Sequence, residues 1–246
     1  MFIGIGTPIP RLSNLPGSRA GGGSTGLETV DNEFSMSFSS VDQSFLKITN
    51  LRNELINSNN KQLSFSAWIK LPALNVNWYF AGSGLNSHGP FTFGGSGANM
   101  RTWITTSDSN TTKIISTSTA FAANQWHHVF YVIDTTQSIA DDRTRFYING
   151  EKVDIDASTG TPPLDSTFNT IQNQPDVLVN AWRFNPLGTP SGTGIIEYDE
   201  LAFWNTVIDD KIIKQIYEAN NIAGKTADLA KVGPSNLKAW LRMGDN

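Results

Sequence analysis

The sequence predicts an all-β protein, an antiparallel β-sandwich of the jelly-roll type, and the stretch from Asn124 to Val153 is the main reason. Residues 126–133 carry aromatic and β-branched side chains at both odd and even positions, which is typical of a strand covered on both faces. Residues 145–148 then alternate and Asn149-Gly150 follows. Asn-Gly favours a type I′ hairpin turn, because both central residues of that turn need positive φ. Strand, loop, strand, turn and strand in this order form an antiparallel meander.

Length and composition agree with one large sandwich. The chain has 246 residues, of which 39% are hydrophobic, including 7 Trp and 14 Phe, so a sizeable core is available. Its net charge of −4 supplies no basic field for nucleic acid or an anionic membrane. It has no cysteine, which excludes disulfides and thiol catalysis. No apolar run approaches the ~20 residues of a membrane span. The N-terminus lacks the pattern of a secretion signal, so we expect folding in a cytoplasm.

Residues 1–26 differ from the rest of the chain. They contain Pro8, Pro10 and Pro16 with glycines at both ends, which predicts an extended arm ahead of a domain over residues 27–246. Two interpretations stay open: a flexible tail, or an arm that orders against a partner. The second is favoured by apolar side chains that a solvated linker would not need. These are Phe2, Ile3, Ile5, Ile9, Leu12 and Leu15.

Short strands are predicted before the meander at residues 34–40, 43–49, 62–71, 78–81, 91–93, 100–105 and 113–117, with a turn or short helix within 51–60. In the strand 62–71 the odd positions from Leu63 to Ile69 share an apolar face, and Trp68 lies on the other.

Beyond the meander, a strand is predicted at 176–184, followed by a Pro/Gly loop. One helix is predicted at 209–220, with Asp209 as its N-cap. Ile212, Ile213, Ile216 and Tyr217 form its apolar stripe.

Three stretches resemble a known family. NQWHHVFYVID with RFYINGEKV, QLSFSAWIKL, and EYDELAFWNTVIDDKIIKQIYEAN occur in the order found in the concanavalin A-like lectin/glucanase superfamily, in its laminin G-like and pentraxin-like branch. The resemblance runs from about residue 34 to residue 220. It implies the sandwich fold, but it leaves function open because this fold hosts sugar binders, hydrolases and interaction modules.

The stretch 236–245, NLKAWLRMGD, resembles the strand that usually begins these domains, and here it comes last. Leu237, Ala239 and Leu241 alternate with Lys238, Trp240 and Arg242, as in a half-buried strand. We expect it to fill the first-strand position, either in its own sandwich or in that of a neighbouring copy.

The resemblance also suggests a calcium ligand. An acidic pair in the opening loop of the family helps to bind calcium, and Asp42 matches its first member, while Gln43 replaces the second. A single carboxylate is also ordinary turn chemistry, so calcium at Asp42 is one of two interpretations and no other cofactor is expected.

Glu197 and Asp199 are the candidates for a glycosidase active site. Two residues apart on a strand, they point to the same face, and retaining glycosidases need two close carboxyl groups. The glucanases of the superfamily carry E-x-D-x-x-E, but the general acid position here is Ala202. The adjacent His127 and His128 face opposite sides of their strand and cannot hold one metal ion together. The resemblance therefore implies a non-catalytic member.

Long loops on a rigid sandwich are where binding usually occurs. Trp78, Trp103 and Trp182 lie near the predicted loops and are candidates for stacking on sugar rings. The alternative interpretation is that they belong to the core or to the sheet surface.

These expectations favour a non-enzymatic structural and adhesive protein of a bacteriophage virion, such as a capsid decoration or tail-associated protein. The N-terminal stretch resembles the short leaders of some bacteriophage structural proteins. The expected partners are other virion proteins such as the major capsid protein, further copies of the chain, and a host-surface glycan, without nucleic acid or membrane. A lectin, with or without calcium, is the alternative from another class, and a glucanase is the third.

Overall fold

Two antiparallel sheets face each other across an aromatic core in the computed structural model, which describes residues 27–39, 44–74, 77–85, 89–107, 111–116, 121–156, 160–170, 175–184, 190–191, 194–219 and 224–243. This confirms the predicted sandwich. The strands are β1 Thr29–Asp31, β2 Met36–Phe38, β3 Leu46–Ile48, β4 Gln62–Lys70, β5 Asn77–Gly82, β6 Gly84–Leu85, β7 Phe91–Ser96, β8 Asn99–Thr105, β9 Thr111–Ile115, β10 Trp126–Asp134, β11 Thr144–Ile148, β12 Glu151–Val153, β13 Val177–Val179, β14 Arg183–Phe184, β15 Pro190–Ser191, β16 Ile196–Trp204, β17 Lys225–Ala227 and β18 Leu237–Leu241. The helices are α1 Leu51–Leu55 and α2 Asp210–Ala219, with 3-10 turns at Ala140–Arg143 and Leu229–Lys231.

The first sheet has seven strands in the order β12-β11-β10-β4-β16-β18, with β2 also paired to β16. The predicted meander forms β10, β11 and β12, and Asn149 and Gly150 adopt the positive φ angles that the turn requires. The strand β18 pairs antiparallel with β16, with Leu241 opposite Leu201. The late strand therefore completes the sheet of its own chain.

The second sheet has six strands in the order β3-β13-β5-β7-β8-β9. A small sheet of β15, β14 and β6 lies beside it, and in that sheet β14 runs parallel to β6. The register between β5 and β7 shifts between Tyr79 and Ala81, so β5 contains a bulge. This bulge re-aims the side chains of β5.

The main core lies between the two sheets and is rich in aromatic rings. Phe65 is fully buried at its centre, with ring centroids 5.2 Å from Phe93 of the opposite sheet and 4.8 Å from Phe203 of its own sheet. Its face is the odd-numbered face of β4 that the sequence predicts. The other face of β4 carries Trp68, which stacks on Tyr217 of α2 at 5.9 Å.

Helix α2 covers the outer face of the seven-stranded sheet. Ile213 and Ile216 are buried there in a second cluster that includes Trp204. The carboxylate of Asp209 accepts a hydrogen bond from the backbone N–H of Lys211 at 2.9 Å, which confirms the predicted N-cap. Neither of the two helices in the described ranges has the length and hydropathy needed to cross a bilayer.

Two tyrosines of the seven-stranded sheet reach through the core to the other sheet. The hydroxyl of Tyr198 donates to the backbone carbonyl of Tyr79, and the hydroxyl of Tyr131 donates to that of Gly94, both at 2.6 Å. Tyr79 and Gly94 are directly paired between β5 and β7. The two hydroxyls therefore anchor the six-stranded sheet from its core side, at the paired residues Tyr79 and Gly94.

The single strand predicted over 176–184 is wrong in its continuity: it is broken at residues 180–182 into β13 and β14, which belong to different sheets. The strand β13 ends at Val179, and Asn180 adopts a left-handed backbone conformation with φ 62°. Its amide side chain donates to the carbonyls of Ser44 and Gly194 at 2.9 and 3.0 Å. These long-range contacts stabilise a conformation that a non-glycine residue otherwise avoids, and they redirect the chain away from the sheet.

Candidate functional site

The predicted candidate Trp78 lies in the core. It is 1% exposed, its ring centroid lies 4.7 Å from that of Phe80, and its indole N–H donates to the carbonyl of Gly97 at 2.9 Å. An enclosed ring offers no face to a sugar. The prediction of Trp78 as a stacking residue is therefore wrong, and the core interpretation holds for it.

The other two predicted tryptophans lie on the outer face of the six-stranded sheet, on either side of Tyr79. The ring of Tyr79 is 6.3 Å from that of Trp103 and 6.2 Å from that of Trp182, with interplanar angles of 30° and 28°. Trp103 is 9% exposed, whereas Tyr79 and Trp182 are half-buried. The three rings form a row across the sheet.

The row depends on how the chain turns after β13. Once Asn180 has redirected it, the backbone of Trp182 passes directly over Gly82, where an added Cβ would lie 2.1 Å from the Trp182 carbonyl oxygen. Only glycine permits so close an approach of two backbones. Gly82 therefore sets the place at which Trp182 meets the sheet.

Two arginines accompany the rings. The guanidinium of Arg101 lies 4.1 Å from the centroid of Trp103, and that of Arg183 lies 4.1 Å from the centroid of Trp182. Both distances are within the range of cation–π attraction. We call these five residues, Tyr79, Arg101, Trp103, Trp182 and Arg183, the aromatic-arginine strip.

Arg101 is the most enclosed cation of the strip, with 9% of its surface exposed. Its guanidinium donates to the Asn77 side-chain oxygen at 3.2 Å and to the Gly95 carbonyl at 3.4 Å. Burial lowers the pKa of Arg101, and the neighbouring Tyr79 partly opposes this effect. Burial also raises the pKa of Tyr79, whose ordinary value already keeps the hydroxyl neutral near pH 7.

The sheet beneath the strip is cationic. Its six strands contain Lys47, Arg101 and Lys113 but no Asp or Glu. Among the described residues, two carboxylate-bearing residues lie at its edges: Asp176 contacts Lys47 at 3.6 Å, and the backbone N–H of Asp156 donates to the carbonyl of Ile115. A chain with a net charge of −4 thus keeps carboxylates out of this sheet.

Glu197 and Asp199 share a face of β16, as predicted, but that face is the one under α2. Glu197 forms an ion pair with Lys70 at 2.9 Å. Asp199 is 2% exposed and accepts a hydrogen bond from the Glu200 N–H at 2.8 Å. An enclosed carboxylate and a lysine-paired one do not provide the acid and nucleophile of a glycosidase.

A carboxylate that the sequence does not single out lies beside them. Glu200 is 2% exposed, has a φ of 51°, and lies in a bulge between Asp199 and Ala202. It accepts a hydrogen bond from the indole N–H of Trp240, and Arg242 approaches it at 3.8 Å. These contacts join β16 to β18 and have a structural role.

The histidines also have structural surroundings. His128 is 1% exposed, and its Nε2 lies 2.9 Å from the Ser66 hydroxyl. Burial lowers the pKa of His128 to about 3, so the ring is neutral. His127 lies on the opposite face, against Phe121, as the alternation predicts. No substrate reaches the enclosed Ser66–His128 pair.

No group of three or more Asp, Glu, His or Cys side chains able to hold a metal ion occurs within the described ranges. Asp42 and His88 lie outside those ranges, and so do the arm residues Phe2, Ile3, Ile5, Ile9, Leu12 and Leu15. Calcium at Asp42 and a docking arm stay predictions.

Comparisons with known proteins agree with the fold. The binding domain of botulinum neurotoxin DC, solved with rat synaptotagmin II, has 16% identity over 78% of this chain and 45% of that one, with a TM-score of 0.53. The binding domain of Paraclostridial Mosquitocidal Protein 1 has 15% identity, coverage of 79% and 46%, and a TM-score of 0.53. A candidate carbohydrate-binding protein from Bacteroides ovatus has 14% identity, coverage of 75% and 46%, and a TM-score of 0.51.

The chain spans less than half the length of each of these three structures, and at such identities the likeness shows the fold alone. Among curated proteins, none has significant sequence similarity to the chain. A family model does match: Laminin_G_3, described as concanavalin A-like lectin/glucanases superfamily, over residues 43–214. The match covers most of the chain, which therefore belongs to the Laminin_G_3 family of the concanavalin A-like lectin/glucanases superfamily.

Proposed function

We propose that this domain is a non-enzymatic recognition module that binds carbohydrate on the aromatic-arginine strip. The observation that carries the proposal is the row of three rings on the outer face of the six-stranded sheet, with an arginine against each tryptophan. On the outer face of the seven-stranded sheet, α2 packs over the second cluster, and the arginine-tryptophan pair described there, Arg242 with Trp240, is wider at 5.3 Å.

The chemistry of the strip suits a sugar. Aromatic side chains supply rigid contact area for the apolar C–H faces of a sugar ring, and they lose little conformational entropy on binding. The guanidinium groups and the neighbouring Asn77 side chain supply donors and acceptors for hydroxyl groups. A few oriented polar groups among aromatic rings are what a specific small-ligand site needs.

The absence of catalysis is part of the proposal. Ala202 occupies the position that the glucanase pattern gives to its general acid. Glu197 is paired with Lys70, and Asp199 is enclosed. The Ser66–His128 pair is enclosed as well, and the pKa of His128 is too low for a general base near pH 7.

The test is a glycan-array screen of the full chain, followed by titration of each retained glycan. Trp182→Ala should weaken binding by about tenfold or more, the usual effect of removing an aromatic anchor. Trp126→Ala is the matched control, because this half-buried tryptophan lies on the opposite sheet, and its affinity should match that of the wild type. A wild-type protein that retains no glycan, or equal losses in the two variants, would refute the proposal.

A second candidate function is a structural role in a bacteriophage virion, with the N-terminal arm as the docking element. Its support is the apolar composition of residues 1–26 and their resemblance to the leaders of some bacteriophage structural proteins. The two functions are compatible, because an adhesive virion protein needs both an attachment and a ligand surface. Assembly partners would be other virion proteins or further copies of the chain.

This second candidate is tested by the mass in solution of the full chain and of a chain lacking residues 1–26, with and without calcium. Assembly of the full chain, together with a folded monomer of the shortened one, supports a docking arm. Two stable monomers would count against it. A calcium-dependent rise in melting temperature that Asp42→Asn removes would support the predicted ligand.

A further inference from the structure

We propose that the ligand of the aromatic-arginine strip is an acidic saccharide, one whose sugar units carry a carboxylate, and that Arg101 anchors this carboxylate. The inference rests on the proposed carbohydrate function and narrows its ligand class. The evidence is the burial of Arg101 without a carboxylate partner among the described residues, the positive charge of the six-stranded sheet, and the position of each arginine over an indole ring.

Arg101 is a cation that is mostly shielded from solvent and has no carboxylate partner among the residues that the structure describes. It is 9% exposed, and its hydrogen-bond acceptors among the described residues are the neutral oxygens of Asn77 and Gly95. The hydroxyl of Tyr79 also contacts it and is neutral near pH 7, because even an unperturbed tyrosine ionises only at about pH 10. Buried charges in proteins are usually paired with an opposite charge, so an external carboxylate would supply the missing partner.

The sheet adds to this attraction. Its strands carry three cations, Lys47, Arg101 and Lys113, and no carboxylate. Lys113 is directly opposite Trp103 on the neighbouring strand, so its charge lies beside the strip. Asp176 contacts Lys47 at the far edge of the sheet. The six strands themselves hold no carboxylate that could compensate the charges of Arg101 and Lys113 near Trp103.

A guanidinium that lies over an indole ring can contact the ring and bind a carboxylate at the same time. Each guanidinium carbon lies 4.1 Å from the centroid of an indole ring, and the N–H donors of an arginine lie in the plane of its guanidinium. An arginine placed in this way can also donate a charge-assisted hydrogen bond to a carboxylate. Arg101 and Arg183, on either side of Tyr79, therefore suit an acidic sugar whose ring contacts the aromatic row.

The test uses two matched pairs of probes: sialyllactose with lactose, and hexagalacturonate with its carboxyl-reduced form. Titration of the full chain should give Kd values about tenfold or more lower for the acidic member of each pair, the usual effect of a charge-assisted hydrogen bond. The preference should fall as NaCl is raised, because salt screens the attraction.

Arg101→Gln and Arg183→Gln should each remove most of the preference for the acidic probe. The second variant guards against misfolding of the first, since Arg183 is only half-buried. Lys214→Gln is the matched control, because it removes one positive charge from the exposed face of α2 and should leave every Kd unchanged. Circular dichroism checks that each variant is folded.

The outcomes separate the two proposals. Equal affinity for the acidic and neutral members overturns the acidic ligand while the carbohydrate function stands. Loss of the preference in Lys214→Gln as well overturns the role of Arg101, because the effect would then be one of net charge. A single-stranded oligonucleotide that competes as well as hexagalacturonate also overturns it. Binding of none of the four saccharides overturns the acidic ligand, and a blank glycan array removes the carbohydrate function itself.

Discussion

The hydroxyl of Tyr198 donates a hydrogen bond to the backbone carbonyl of Tyr79 across the whole core, at 2.6 Å. Tyr198 belongs to the seven-stranded sheet, and Tyr79 is the central ring of the aromatic-arginine strip on the far side of the other sheet. The position of a surface aromatic residue is thus set by a buried residue that no ligand would touch.

Replacing this buried hydroxyl should loosen the strip. Tyr198→Phe should lower the free energy of unfolding by about 1 kcal/mol, the typical net worth of a hydrogen bond, and should weaken glycan binding. Urea denaturation and titration measure the two effects. Tyr217→Phe is the control, because the Tyr217 hydroxyl forms no hydrogen bond within the described part of the chain. Unchanged affinity in Tyr198→Phe would contradict the positioning role.

A side chain at Gly82 should displace the segment that carries Trp182 and Arg183. An added Cβ at this position would overlap the Trp182 carbonyl oxygen, so Gly82→Ala should cost about 1–3 kcal/mol of stability and abolish ligand binding. Gly194→Ala is the control, since its nearest neighbours would lie at ordinary contact distances of 3.8 and 3.9 Å, and its stability should change by no more than about 0.5 kcal/mol. Equal effects of the two substitutions would show that the close approach at Gly82 has no special importance.

Acid should destabilise the fold below about pH 6.5, the ordinary pKa of histidine. His128 has a folded-state pKa of about 3, so the unfolded chain binds its proton more readily between these two values. The histidine therefore contributes full stability above pH 6.5, and this contribution falls by up to ~1.4 kcal/mol for each pH unit below it.

The free energy of unfolding, measured by urea titration between pH 7 and pH 5, should follow this slope. His128→Gln should have a shallower slope, because glutamine can still donate to Ser66 but does not titrate. His127, whose pKa burial also lowers, keeps part of the slope in that variant. Parallel curves for the wild type and the variant would exclude His128 as a source of acid sensitivity.

The strand β18 should be required for folding. It completes the seven-stranded sheet against β16, and Trp240 and Arg242 contact the buried Glu200. Deletion of residues 234–246 exposes that carboxylate and an edge of β16, so we expect insoluble protein. A chain shortened by residues 244–246 alone keeps the whole strand and should remain soluble, and a soluble, cooperatively unfolding 234–246 deletion would refute the requirement.

Alternation of apolar residues was a sufficient guide wherever one face of a strand packs on the main core. It correctly assigns Phe65 and Trp68 to opposite faces of β4, and it predicts the hairpin at Asn149-Gly150. It fails at Trp78-Tyr79-Phe80, where three successive aromatic residues give no contrast between faces. The bulge in β5 and the buried partners of each ring decide which residue points outward, and neither is encoded locally.

The strip itself was only partly predictable. Trp103 and Trp182 were candidates because of their residue type, whereas Tyr79, Arg101 and Arg183 were not. The spacing of Arg101 and Trp103, two residues apart on a strand, is a signal for a shared face. The position of Trp182 was beyond local inference, because it depends on the left-handed Asn180 and on contacts with Ser44 and Gly194.

The second hydrophobic cluster, under α2, has a consequence for how the domain is oriented. Leu27, the first described residue, packs against this cluster, on the side of the sandwich opposite to the aromatic-arginine strip. The chain therefore enters the described domain on the side away from the strip. A partner bound close to Leu27 would leave the row of rings and arginines accessible on the opposite side of the sandwich.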